Sequence, residues 1–411
     1  MENAGLNSAK YIISHFKDLL SEPVIILTGK GNNAGDGFVI ARHLVINGYK
    51  SKVISVYPPN ELKGDARINY EILENTPGEL IELYSLKHFI DLKNYLSGRK
   101  QLVIDAIFGV GFRGELDEHV KSVVKQVNDE NNLTVVSIDT PSGLENFNQQ
   151  KEFVKADYTL SMGTKKFNSI FYTGKERSGI VEVMNIGVPD FIFDMNNKER
   201  IYEVEESDVN IPKRGATSHK YSGGKVFVLA GAKGYTGAAT LSTEAALRAG
   251  SGAIVVGFPE SLDDIMEKKL TDVVKLPLPE TDNVSISSNG YDLIKEKIEW
   301  SDVTLIGPGM SRDKDTMQLV RKILNEIQHN YVIDADGLSA LNVHTDIIKK
   351  SNSKITITPH FGEFAGLLGI TADELKDDFY SKAKSFALDY GVVLVLKNAP
   401  TIITDGNSTY I

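Results

Sequence analysis

The 411-residue sequence contains no cysteine, which excludes disulfides, thiolate metal sites and cysteine nucleophiles. It holds no uninterrupted apolar run near the roughly 20 residues that cross a bilayer. Its opening, Met1-Glu2-Asn3-Ala4-Gly5, lacks the basic-then-apolar order of a signal peptide. Positive charge is in deficit: 45 Lys and Arg stand against 55 Asp and Glu, a formal net charge of -10. That disfavours non-specific binding to nucleic acid or acidic membrane, yet a local basic pocket can still hold phosphates. No residue-level repeat relates the two halves, so a solenoid is excluded. A soluble, cytoplasmic protein with small-molecule substrates is expected, with neither nucleic acid nor membrane as partner.

What is present is alternation. Continuous β-branched runs at Val24–Thr28, Val53–Val56, Leu102–Asp105 and Val135–Asp139 read as parallel strands covered on both faces. Segments with helical spacing separate them, such as Phe38–Asn47 and Leu116–Asn128, and Tyr158–Met162 and Ile180–Met184 close the first series. A second series follows at Val226–Ala230, Ala253–Gly257, Val303–Ile306, Tyr331–Asp334, Ile355–Thr358 and Val392–Leu396, its clearest helix at Ala238–Ala249. Between them the polar stretch Asn196–Ser222, with Lys213-Arg214-Gly215, has no sustained period, apart from a short strand expected at Ile201–Val204. The expected division is 1–197 and 223–411, joined by 198–222. The expected class is α/β, a Rossmann-like doubly wound three-layer domain followed by a second α/β domain.

In the first half, Leu27-Thr28-Gly29-Lys30-Gly31-Asn32-Asn33-Ala34-Gly35-Asp36-Gly37 joins a buried strand to a helix. Read blandly, it is a glycine-rich turn with an Asp cap. It lacks the Gly-Lys-Ser/Thr ending of a phosphate loop and the spacing of a dinucleotide fingerprint, so both assignments fail. Asp105 and Asp139 each end an apolar strand, and Asp139 opens Asp139-Thr140-Pro141-Ser142-Gly143. The carboxyl ends of parallel strands form one rim, where ligands bind near a switch in strand order. Asn33, Asp105, Asp139 and Ser142 are therefore expected to converge. Singly each is an ordinary cap or turn residue; three such loops on one rim point to a site.

Asn32-Asn33-Ala34-Gly35-Asp36-Gly37, Asp105-Ala106-Ile107-Phe108-Gly109 and Asp139-Thr140-Pro141-Ser142-Gly143 together resemble the NAD(P)H-hydrate epimerase domain, over roughly residues 1 to 190. The resemblance implies a potassium ion held by Asn33, Asp105 and Ser142, a set of hard oxygen donors. It also implies substrate contacts from Asn32, Asn33, Ala34, Gly35 and Asp36, from Gly109, Val110, Gly111, Phe112, Arg113, Gly114 and Glu115, and from Asp139. The substrate would be a reduced nicotinamide cofactor hydrated at C6. Asp139 is the candidate general acid or base, with Lys166 assisting. Ala34 stands where the family usually has glycine, and a helix is expected to precede Met1.

In the second half, the strand ends carry Ala230-Gly231-Ala232-Lys233-Gly234, Gly307-Pro308-Gly309, Asp334-Ala335-Asp336-Gly337, Pro359-His360-Phe361-Gly362-Glu363 and Lys397-Asn398-Ala399-Pro400-Thr401. With His219-Lys220 at the entrance, these resemble the nucleotide-dependent NAD(P)H-hydrate dehydratase domain of the ribokinase-like superfamily. The resemblance implies that Ala238, Gly309 and His360 contact the hydrate and that Lys397, Asn398, Ala399, Pro400 and Thr401 lie along ADP or ATP, with magnesium. Phosphate would pass to the C6 hydroxyl and then leave, a transfer that is mostly positioning and charge stabilisation. Lys397-Asn398 replaces the family's usual Lys-Gly pair. The family's Gly-Thr/Ser-Gly-Asp loop is absent from these 411 residues, and little dehydratase activity is expected of them. A homo-oligomer is expected. Two other classes compete: a ribokinase-like small-molecule kinase fused to a Rossmann-like binding module, and a scaffold without catalysis. The first gives no reason for the Asn32-Asn33 and Asp139 motifs; intact Asn33, Asp105, Asp139 and Ser142 argue against the second.

Overall fold

The computed structural model describes residues 1–77, 79–82, 92–96, 100–146, 151–189, 191–192, 200–211 and 221–411. The chain divides into two compact units, Met1–Asn196 and Asn197–Ile411. Lys213-Arg214-Gly215 and His219-Lys220 lie outside the described residues.

The first unit is built on seven parallel strands: β1 (Val24–Thr28), β2 (Ser51–Ser55), β3 (Glu79–Glu82), β4 (Gln101–Ala106), β5 (Leu133–Ile138), β6 (Tyr158–Met162) and β7 (Ile180–Met184). Their order is β3-β2-β1-β4-β5-β6-β7. β1 is buried along its whole length because helices cover both faces, which is why it reads as an unbroken apolar run. One core gathers Ile12, Ile26, Phe38, Ile40 and Ile104; the other gathers Ile25, Leu27, Val103, Val120 and Val124. Chain order reverses between β1 and β4, so their carboxyl ends diverge and leave a crevice.

One expectation needs correcting here. The glycine-rich segment after β1 is not an extended turn: the helix Asn32–Ile46 begins at Asn32, four residues before Asp36, so Asp36 is no cap. Gly37 is small for packing. A Cβ there would lie 2.8 Å from the Ala106 Cβ, so glycine lets this helix press onto β4.

Among its described residues the second unit holds ten strands: β8 (Arg200–Tyr202), β9 (Lys225–Leu229), β10 (Ala253–Pro259), β11 (Val274–Leu278), β12 (Val303–Ile306), β13 (Asn330–Ile333), β14 (Lys354–Ile357), β15 (Val393–Leu396), β16 (Ile402–Thr404) and β17 (Ser408–Tyr410). Their order is β11-β10-β9-β12-β13-β14-β15-β16-β17-β8. The run from β11 to β15 is parallel, β16 and β17 turn back antiparallel, and β8 pairs parallel to β17. The short strand expected inside the connection is thus an edge of the second sheet. Here the switch falls between β9 and β12, whose ends carry Ala230-Gly231 and Gly307-Pro308-Gly309.

Candidate functional sites at the two switch points

A cleft of about 770 Å³ opens over the β1–β4 switch of the first unit. Asn32, Asn33, Asp36, Asp139, Lys166 and the stretch Gly109 to Arg113 all line it, with Glu115. Ala34 and Gly35 lie buried in the helix beside it. Gly114 lines a smaller neighbouring cavity of about 250 Å³, which Glu115 shares.

Asp139 is held from several sides. Its φ of +68° is left-handed, a conformation Asp tolerates better than most residues. Its Oδ2 accepts from the Val110 N–H at 3.0 Å, and Oδ1 accepts from the Met162 N–H at 3.4 Å. Lys166 Nζ lies 2.9 Å from Oδ1, both side chains being largely buried. The same ammonium donates to the Met162 and Thr164 carbonyls at 2.7 and 3.0 Å. Lysine and carboxylate are therefore fixed as a pair, with one edge of each facing the cleft. Gly109 makes this possible, because a Cβ there would sit 2.9 Å from Asp139 Oδ2 and 3.5 Å from Asn33 Oδ1.

Behind the pair, Asp105 is fully buried at the end of β4. It accepts hydrogen bonds from the Ser142 hydroxyl, the Ser142 N–H (2.8 Å), the Ser137 hydroxyl (2.8 Å) and the Ile107 N–H (3.3 Å). Burial pushes its carboxyl above the usual range, against the pull of those donors. No salt bridge reaches it among the described residues. A buried carboxylate without a counter-charge is costly and invites a cation. Asn33 is 7 % exposed, yet neither its Nδ2 nor its Oδ1 has a partner. Native interiors rarely leave a whole amide unsatisfied. Asp105 and Ser142 are thus in direct contact, Asn33 and Asp139 meet across Gly109, and Ser142 Oγ accepts from the Phe108 N–H at 2.8 Å in the loop that follows β4.

Asp36 lines the cleft beside them. Burial raises its carboxyl to about 7, the Met1 amine pulling it down and the Asp139 charge pushing it up. Tyr57 and Asp117, which sequence reasoning missed, line the cleft together with Phe108 and Phe112. The Tyr57 hydroxyl donates to Asp117 Oδ2 at 2.6 Å, and its ring meets Phe108 edge-on at 6.1 Å. Phe108 in turn packs on Phe112 at 4.8 Å. The one sequence signal for Tyr57 is that it directly follows the apolar run ending at Val56.

At the second switch, Ala238 and Gly309 come together: a Cβ on Gly309 would lie 3.0 Å from the Ala238 Cβ. His360 is a helix cap. Its Nδ1 accepts from the Gly362 and Glu363 N–H groups at 3.0 and 3.3 Å, while Glu363 accepts from the His360 N–H at 2.9 Å. Its Nε2 lies 3.4 Å from Glu363 Oε1, so a ligand at this nitrogen would compete with that carboxylate. His360 bridges in parallel to Lys397, whose Nζ donates to Asp334 Oδ1 at 2.7 Å. Asn398, Ala399, Pro400 and Thr401 continue as the loop between β15 and β16, with Thr401 Oγ1 donating to the Asn398 carbonyl at 3.2 Å.

Comparison with known proteins divides the chain in the same way. The family described as YjeF-related protein N-terminus matches residues 1–167, and the NAD(P)H-hydrate dehydratase family matches residues 226–411. The bifunctional NAD(P)H-hydrate repair enzyme Nnr of Moorella thermoacetica is 35 % identical over 407 residues, covering 98 % of this chain and 76 % of that one. Its counterpart in Salinibacter ruber is 32 % identical over 417 residues, with the same two coverages. Among solved structures, the ADP/ATP-dependent NAD(P)H-hydrate dehydratase of Bacillus subtilis, co-crystallised with ATP and Mg2+, is 26 % identical. It covers 48 % of this chain and 67 % of its own, with a TM-score of 0.40.

Proposed function

This chain belongs to the bifunctional NAD(P)H-hydrate repair enzymes, and we propose that its first unit epimerises C6-hydrated NADH and NADPH while its second unit works on the S hydrate with a nucleotide. The observation that carries the reading is the fixed Asp139–Lys166 pair beside the unpartnered Asn33 amide, over the β1–β4 switch.

Epimerisation requires a proton to move at the C6 hydroxyl while a bond to C6 breaks and re-forms. Asp139 is placed to exchange that proton, since its carboxylate edges the cleft. Lys166 holds the carboxylate's charge and orientation. The aromatic wall of Tyr57, Phe108 and Phe112 excludes water from one side of the substrate. Asn33 Oδ1, the Asp105 carboxylate and Ser142 Oγ suit a monovalent hard cation: the amide lacks a partner and the buried carboxylate lacks a counter-charge. Potassium there would neutralise Asp105 and fix the loop that carries Ser142.

In the second unit, Ala238, Gly309 and His360, whose Nε2 lies 3.4 Å from Glu363 Oε1, are the candidates for the hydrate, and Lys397 to Thr401 for ADP or ATP with magnesium. The small residues at the β9–β12 switch let a ligand lie against backbone.

The test is direct. Purified protein given the R hydrate in potassium buffer should produce the S hydrate, followed by chromatography. Asp139→Asn, which keeps shape and tolerates the same φ, should lower that rate by about 10²–10⁴. An unchanged rate in the folded variant removes Asp139 from the mechanism.

A further inference from the structure

Lys30 follows β1 at the side of the cleft away from Asp139. Its Nζ lies 2.7 Å from Glu61 Oε2 and 4.3 Å from the centre of the Tyr57 ring. Both charged side chains are close to half exposed, at 44 % and 42 %, so water and salt weaken their hold on each other. Lys30 lines the cleft. The cleft's other cations are engaged elsewhere: Lys166 on Asp139, and Arg113 on the Val110 and Phe112 carbonyls.

Directly after Lys30 the 15-residue helix Asn32–Ile46 begins, and its N-cap, Gly31, supplies no side-chain cap. Among the described residues no side chain caps its leading N–H groups, and the helix end favours negative charge. A second and independent observation points the same way. Asn33, in that first turn and lining the cleft, buries an Nδ2 with no acceptor. An incoming anion would supply one.

The sheet order sets the distance from the reacting carbon. Across the rim the strand ends run β2 with Tyr57, β1 with Lys30, β4 with Gly109, β5 with Asp139 and β6 with Lys166. Neighbouring parallel strands stand about 4.8 Å apart, so the end of β1 lies roughly two spacings, about 10 Å, from that of β5. In a hydrated dinucleotide one ribose separates the nicotinamide from the pyrophosphate. With C6 held at Asp139, the pyrophosphate falls near the end of β1, and the adenosine half continues towards β2 and Tyr57.

We infer that Lys30 takes the pyrophosphate of the hydrated dinucleotide, and that Glu61 is a positioning residue that holds Lys30 until the substrate displaces it. The assignment rests on the epimerase reading of this cleft. It concerns the phosphates that NADH and NADPH hydrates share, not the 2′-phosphate that separates them.

Steady-state epimerisation of both hydrates tests it, using the wild type, Lys30→Met, Lys30→Arg, Glu61→Gln and the Lys30→Met/Glu61→Gln double variant, each checked for folding by circular dichroism. Lys30→Met should raise KM roughly tenfold for both hydrates, the loss falling on KM rather than kcat. Lys30→Arg should recover most of it. Glu61→Gln should lower KM, because its lysine is no longer held back, and should have no effect once Lys30 is gone. Three results overturn the assignment: an unchanged KM in Lys30→Met, a rise confined to the NADPH hydrate, or a Glu61→Gln effect that survives in the double variant. A wild-type protein that epimerises neither hydrate would instead overturn the epimerase reading, and this inference with it.

Discussion

Replacing Asn33 by leucine should make the protein more stable and less useful. The amide is buried in the first turn of Asn32–Ile46 and neither of its polar atoms has a partner. Leaving a buried polar group unsatisfied costs about 1–3 kcal/mol. Leucine has the same branched outline and no polar atom, though its extra volume offsets part of the gain. In potassium-free buffer, Asn33→Leu should therefore gain about 1–3 kcal/mol over the wild type by urea unfolding. Potassium should close or reverse most of that difference. A cation at 100 times its Kd stabilises the state that binds it by about 2.7 kcal/mol, and this gain should reach the wild type alone. Epimerase activity should fall at least as far as in Asp139→Asn. A variant less stable than the wild type without potassium, or one that potassium stabilises equally, would refute the reasoning.

Further outcomes follow from neighbouring groups. Asp36 titrates near 7 in the fold, above its ordinary value of 3.8, so its contribution to stability is complete below about pH 4 and is lost as pH rises through about 7. The melting temperature of Asp36→Asn, relative to wild type, should accordingly improve between about pH 5 and pH 8.5; a constant difference would contradict the burial argument. His360→Ala removes a cap that accepts two N–H groups and should cost about 1 kcal/mol in thermal unfolding. His360→Asn should keep most of that stability while weakening hydrate binding at the second site, which separates the cap from the ligand contact. Gly309→Ala would force a Cβ to 2.7 Å from that of Tyr235 at a φ of +62°. It should cost about 1–3 kcal/mol, visible as an earlier urea midpoint.

The legible strands include the wholly buried β1 and also β7, an edge strand whose Ile180 and Val183 are exposed. β1, β6, β7 and β12 coincide with the apolar runs that announced them. β3, β11, β16 and β17 went unread for physical reasons. β3 is a Glu-Leu-Ile-Glu edge, β11 is an edge interrupted by Pro277, and β16 and β17 have three residues each. Edges tolerate charge and proline, so they lack the uniform apolar signal. The site was legible wherever a polar residue closed an apolar strand, as Asp105 and Asp139 do. Lys30 and Asp117 belong to loops and Glu61 to the short 3-10 helix Pro59–Glu61, none with such punctuation, and their convergence on Tyr57 is tertiary. The start of Asn32–Ile46 was misread because glycine serves two ends. Gly37 reads as a turn residue, while its absent side chain is what lets the helix lie on Ala106.

The account depends on Asn33, Asp105 and Ser142 sharing one cation beside Asp139. The most direct measurement is an anomalous difference map from crystals in which rubidium replaces potassium. A single peak bounded by oxygens of all three residues is the predicted result. A peak elsewhere, or none there at rubidium concentrations that sustain epimerisation, would contradict it.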